Sequence, residues 1–150
     1  MKLERPAIES RLLSSFRSVR SRIPILLGGC GSGRTTLLNR ISEKLGDGNS
    51  QYIDAERAAS TPEGFYAAIM AYSPYVPTDV VTDVCTARES FDALLGFFKK
   101  ARSQDGETPA FLIDELLEIK HFENFPGLRG VLAEFLTAIG ESQNRFILSS

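Results

Sequence analysis

Cysteine is scarce, with two in 150 residues, and Cys30 and Cys85 fit no metal-ligand spacing. A disulfide framework is thereby excluded, and a reducing compartment is the expectation. Histidine occurs once, as His121, with no evident ligand partners around it. No apolar run approaches the ~18–20 residues that span a bilayer. Residues 1–22 hold no unbroken apolar core of the signal-peptide kind. Together these absences point to a cytoplasmic protein that does not engage membrane. Net charge is only −2, from 17 cations and 19 anions, so the chain as a whole has no bulk attraction for nucleic acid. Internal repeats and low-complexity segments are also missing.

What remains is an ordinary globular balance, 43% hydrophobic and 24% charged. A chain of this length buries about two-thirds of its unfolded surface, enough for a core without staples. Charge is unevenly placed. Residues 1–22 carry Lys2, Arg5, Arg11, Arg17, Arg20 and Arg22 against Glu4 and Glu9, so a net of +4 leaves −6 for the rest. The chain divides into a basic amphipathic N-terminal helix (1–22) and a core (23–150). The basic helix is either a surface that meets phosphates or simply a solvated one.

Pattern alternates strand with helix, which predicts an α/β fold built on a sheet of parallel strands. Ile8, Leu12, Leu13, Phe16 and Val19 recur at helical spacing and predict a helix over 7–20. Residues 23–27 form an apolar strand with Pro24 near its start. Leu37, Leu38, Ile41 and Leu45 line one face of a helix that Gly46 stops. Residues 51–55 read as a second strand. Thr61-Pro62-Glu63 starts a helix with Phe65, Ile69 and Tyr72 facing the core. Residues 73–85 form a long connection, in which Tyr75, Val76, Val80 and Val81 either fold on the core or meet a partner. Thr86 to Glu89 is a capping box for a helix through Phe91, Leu94, Leu95 and Phe98. A polar loop (103–109) precedes a third strand (110–113). Leu128, Val131, Leu132, Phe135, Leu136 and Ile139 predict a further helix, and 146–148 a last strand.

Two motifs carry chemistry. Gly28-Gly29-Cys30-Gly31-Ser32-Gly33-Arg34-Thr35-Thr36 has phosphate-loop spacing, with arginine in the lysine slot. Converging backbone amides must reach phosphate oxygens, and side chains would block them, so glycine dominates. The helix that follows adds its N-terminal dipole. Thr35 offers a hydroxyl where Mg²⁺ takes an oxygen ligand. The second motif, Phe111-Leu112-Ile113-Asp114-Glu115, brings acids to the C-terminal end of an apolar strand, where parallel sheets bind ligands. There Asp114 is placed to hold the metal and Glu115 to deprotonate a water. Cys30 is either a small filler or a thiol sensitised by the helix N-terminus.

GGCGSGRTTLL and FLIDE resemble the Walker A and Walker B motifs of P-loop ATPases. With YIDAERAASTPEGF and FENFPGLRGVLAEF, residues 20–150 look most similar to prokaryotic AAA+ ATPases related to origin-recognition initiators and signalling ATPases. The resemblance implies a three-layer sheet with helices on both faces, ATP and Mg²⁺ as ligands, and phosphate contacts from Gly28 through Gly33. It puts Arg34 in the phosphate cation slot and Thr36 at the α-phosphate. Thr35 and Asp114 become metal ligands, and Glu115, with Arg34, catalytic. A polar sensor of the γ-phosphate follows the fourth strand in this family, so Ser149 or Ser150 is the candidate. The family sheet continues with a fifth strand and a helical lid, so the chain reads as the N-terminal part of a longer ATPase. The resemblance also implies self-association through the core and a protein or DNA partner engaged through further modules.

Arg34 departs from the family pattern. Guanidinium is planar and bulkier than ammonium, so it binds phosphate but follows the transition state less easily. Three readings are therefore carried forward: an Mg²⁺-dependent ATPase, a nucleotide-gated interaction module that binds ATP with little hydrolysis, and a small-molecule phosphotransferase. Glu115 directly after Asp114 counts against the third.

Overall fold

The computed structural model describes residues 5–17, 22–77 and 86–150. Four parallel strands lie in the order β1-β4-β3-β2, with β1 Ile25–Leu26, β2 Gln51–Asp54, β3 Ala110–Asp114 and β4 Arg145–Ser149. The two central strands β3 and β4 are nearly continuous runs of buried apolar residues, as a sheet covered on both faces requires. Their side chains alternate between two cores. Ala110, Leu112 and Ile147 meet Leu38 and Ile41 of α2 (Arg34–Leu45) and Leu12 and Phe16 of α1 (Arg5–Arg17). Phe111, Ile113, Phe146 and Leu148 face the opposite layer, built from α3 (Ala55–Ala58), α4 (Pro62–Tyr72), α5 (Ala87–Lys100) and α6 (Val131–Glu141). The result is a three-layer α/β architecture: the strand–helix alternation predicts its parallel sheet, and the family resemblance implies the helices on both faces.

Local chemistry sets most boundaries. Gly46 ends α2 with φ 88°. The Thr61 hydroxyl accepts from Gly64 N ahead of Pro62 at the start of α4, and Thr86 and Glu89 close a full capping box on α5. Asp54 ends β2 and caps α3 by accepting from Arg57 N, so Ala55 begins a helix rather than extending the strand.

Other expectations need correction as well. Tyr72, expected to face the core with Phe65 and Ile69, is 84% exposed at the end of α4. The strand over 23–27 narrows to Ile25–Leu26 at the sheet edge, where Ile25 is 51% and Leu27 79% exposed. Helix α1 starts at Arg5, and its expected extension to residue 20, with Val19, lies outside the described residues. A nine-residue 3₁₀ segment, Leu116–Asn124, was not anticipated between β3 and α6. Its buried residues Leu116, Ile119 and Phe122 recur every three positions, the 3₁₀ period rather than the α one. Leu128 is buried but outside α6, because Gly130 takes φ 60° and the helix starts only at Val131.

The connection after α4 folds on the core as far as it is described. The buried Tyr75 hydroxyl donates to Ala110 O at 3.1 Å and accepts from Ala110 N at 3.0 Å, and Val76 bridges Arg102. Val80, Val81 and Cys85 lie outside the described residues. Among the described residues no helix is long and apolar enough to cross a membrane.

Phe98 is fully buried, with the rings of Phe97, Phe111, Phe135 and Phe146 at 4.9–5.9 Å. Phe98→Ala should cost about 3–5 kcal/mol of unfolding free energy in a denaturant titration. Tyr72→Ala, at a residue 84% exposed on the next-door helix α4, should stay within about 0.5 kcal/mol.

Candidate functional site

Because all four strands are parallel, their C-terminal ends emerge on one edge, and both motifs end there. The glycine run leaves β1 at that edge and turns into α2. Gly33 adopts φ 84° as the residue before the helix, a left-handed conformation that favours glycine. No side chain caps α2, so its first-turn amides and positive dipole end face the loop. Around Gly29 and Gly31 a Cβ would meet nothing within 4 Å. The loop is therefore an open cradle of backbone with room for an anion. Cys30 sits exposed on it, and Thr36 is exposed at the first turn of α2.

Asp114 ends β3, only 2% exposed, and all its acceptor capacity is engaged. Thr35 Oγ1 donates to Oδ2 at 2.6 Å and Tyr52 OH donates to the same oxygen at 2.9 Å. Ser149 Oγ and the Glu115 amide donate to Oδ1, the latter at 3.1 Å. Burial would push the Asp114 carboxyl up, but the hydroxyls of Ser149, Thr35 and Tyr52 outweigh it and hold the group below the usual carboxylate range. Burial, followed by the hydrogen bond to Asp114, pushes the Tyr52 phenol up, so it remains a donor.

Beside this knot, Arg34 Nη2 donates to Glu115 Oε1 at 2.8 Å, in an ion pair whose arginine side chain is 14% exposed. Arg34 Nη1 donates to the Gly28 carbonyl. Glu115 has φ 52°, the one positive φ at a non-glycine among the described residues. Such a conformation costs of order 1–3 kcal/mol and persists only where its surroundings enforce it. Here it aims Glu115 at Arg34 while its amide serves Asp114 and, at 3.2 Å, Ser149 Oγ.

The fold thus brings together Arg34, Thr35, Asp114, Glu115 and Ser149. Between the two sensor candidates, Ser149 is buried against Asp114. Ser150 makes backbone bonds, its amide donating to Leu26 O at 3.0 Å and its carbonyl accepting from Gly28 N at 3.3 Å. Tyr52 is the residue that sequence reasoning missed. Its signal was a period-two position on β2 facing the α1–α2 layer, the side on which Thr35 opens α2. His121 lies apart with Glu118 at 3.2 Å. A larger cavity of about 640 Å³ opens at the other end of the sheet, near Arg145 and Pro24, and includes none of these residues.

Thr35 Oγ1 and Asp114 Oδ2 are oxygen donors of the type a small hard cation takes, but they are hydrogen-bonded to each other at 2.6 Å, so a cation held by both would have to replace that bond. Mg²⁺ is typically held by one or two carboxylates plus phosphate oxygens and water rather than by a protein cage.

No family model and no curated relative matches the chain. Among solved structures it is similar to the ORC2 protein of Aeropyrum pernix, described as ADPNP–ADP complexes, with a TM-score of 0.54 and 19% identity. That match covers 97% of this chain and 39% of the Aeropyrum chain. The likeness is one of fold, a parallel α/β sheet with helices on both faces.

Ser149→Ala removes a donor from a buried carboxylate and should cost about 1.5–3 kcal/mol of stability. Ser150→Ala, at a residue tied through its backbone, should change stability by no more than about 0.5 kcal/mol. Paired thermal melts of the two variants check the assignment.

Proposed function

We propose that this edge of the sheet binds ATP with Mg²⁺ and hydrolyses its terminal phosphoryl bond. The observation that carries the reading is the 2.6 Å bond between Thr35 and Asp114, since the helix and strand that bear them come from two separate motifs. The open glycine cradle and the uncapped start of α2 suit a phosphate chain. Thr35 and Asp114 would hold Mg²⁺, which neutralises charge on the phosphates when bound.

The remaining chemistry belongs to Arg34 and Glu115. A planar guanidinium reaching Gly28 O and Glu115 is also in reach of the outer phosphates. Phosphate oxygens compete with Glu115 for it, and a carboxylate so released can accept a proton from water. The water oxygen then bonds to phosphorus as the bond to the leaving diphosphate breaks. The ion pair also favours a second reading, a nucleotide-gated interaction module. If Glu115 stays with Arg34 when nucleotide is bound, the base is never free and binding proceeds without hydrolysis.

Phosphate release with and without Mg²⁺ separates the two readings. Hydrolysis requires Mg²⁺-dependent release by the parent chain and its loss in Glu115→Gln, with ATP affinity kept within a few-fold. Release at the parent rate from that variant would remove Glu115 from the chemistry. Arg34→Ala should weaken ATP binding by about 1.5–3 kcal/mol, with far less effect on AMP, as titration calorimetry can measure. Arg34→Lys should retain binding and raise turnover, because an ammonium lacks the planar fork that spans Gly28 O and Glu115. Lower turnover in that variant would mean the loop has adapted around guanidinium.

A further inference from the structure

We propose that Arg5, outside both motifs, is a further nucleotide-binding residue, delivered by α1 to the phosphate nearest the nucleoside. The proposal rests on the nucleotide reading above. The Arg5 guanidinium lies so close over the last glycine of the loop that a methyl group at Gly33 would meet Nη2 at 2.8 Å and Cζ at 3.2 Å. Arg5, Arg34 and Arg40 line, with Gly33 and Thr36, one narrow cleft of about 140 Å³, and no carboxylate lines it. Its remaining walls are largely apolar, from Ile8, Leu26, Leu27 and Leu37. The Arg34 guanidinium turns to Gly28 O and Glu115, which leaves Arg5 and Arg40 as the cations of this cleft. Positive charge beside it with no carboxylate favours an anion.

The position of Arg5 follows from the packing of α1. One turn further along, buried Glu9 pairs with Lys44 near the end of α2, and Leu12 and Phe16 pack with Leu38 and Ile41 of the same helix. A cation on a packed helix loses less freedom on binding than one on a loose tail. The two arginines divide the phosphate chain between them. Arg34 reaches away toward Glu115 at the end of β3, whereas Arg5 sits at Gly33 on the cleft that contains Thr36. Arg34 therefore serves the outer phosphates and Arg5 the inner one. A guanidinium fork matches phosphate oxygens in either position.

The test is calorimetric titration of ATP, ADP and AMP into the parent chain, Arg5→Ala, Arg5→Lys and Arg11→Ala, each first shown to melt like the parent. Arg5→Ala should weaken all three ligands by a similar factor, about tenfold, as for loss of one charged hydrogen bond. AMP sensitivity is the signature, because Arg34→Ala should spare AMP. Arg5→Lys should recover part of the loss. Arg11→Ala, which removes the same charge from an exposed position of the same helix, should leave all three affinities as they are. Unchanged affinities in Arg5→Ala overturn the proposal, as does a loss confined to ATP or a loss matched by Arg11→Ala. A parent chain that binds none of the three ligands overturns the nucleotide reading itself, a distinct result.

Discussion

A carboxylate withdrawn from water must recover its lost hydration as hydrogen bonds, and Asp114 is where this constraint gathers the structure. It is 2% exposed and takes donors from Thr35 on α2, Tyr52 on β2, Ser149 on β4 and the Glu115 amide. Each donor sits on a different element or at the end of β3 itself. The bonds therefore hold the C-terminal ends of three strands and the start of the loop helix in one arrangement. Removing a donor leaves charge stranded in a low-dielectric site, so the site and the fold are stabilised by the same contacts.

The neighbouring pair works differently. Arg34 and Glu115 are partly exposed, and an ion pair there contributes little to stability. Its interest lies in position. The left-handed backbone at Glu115 turns the side chain back over the loop, while the amide remains bonded to Asp114 and Ser149. A strained residue held from both sides, next to an open cradle, is the kind of outlier that marks function. Arginine in the loop is compatible with this geometry because its fork reaches a carbonyl and a carboxylate at once.

The helical layers are tied to the same edge. Helix α1 packs against α2 through Leu12 and Phe16 and pairs Glu9 with Lys44, so the basic N-terminal helix is not only a solvated surface. On the other face the aromatic cluster around Phe98 and Phe111 anchors β3 and β4, the two strands whose ends carry Asp114 and Ser149. Phe98 meets Phe111 and Phe146 edge to face, while those two rings stack on each other across β3 and β4, which fixes ring orientation as well as burial.

Much of this was legible locally. Apolar periodicity marked the strands and helices, and the caps at Thr61, Thr86 and Gly46 were written in residues that act within one turn of themselves. Glycine spacing marked the cradle, because only backbone shape is at stake there. The 3₁₀ segment was written too, in its period of three, but a nine-residue run of that geometry is rare enough to be passed over. Other features depend on which strand lies beside which. The order β1-β4-β3-β2 sets Ser149, rather than Ser150, against Asp114 and brings Tyr52 across from β2. The pairing of Arg34 with Glu115 spans 81 positions of sequence. The sequence by itself determined the elements and the residue types at the loop and at the acidic strand end, because propensity, capping and period are short-range. Tertiary structure alone decided which hydroxyls close on the buried carboxylate and where Arg34 and Arg5 point, because those contacts follow from strand order and helix packing.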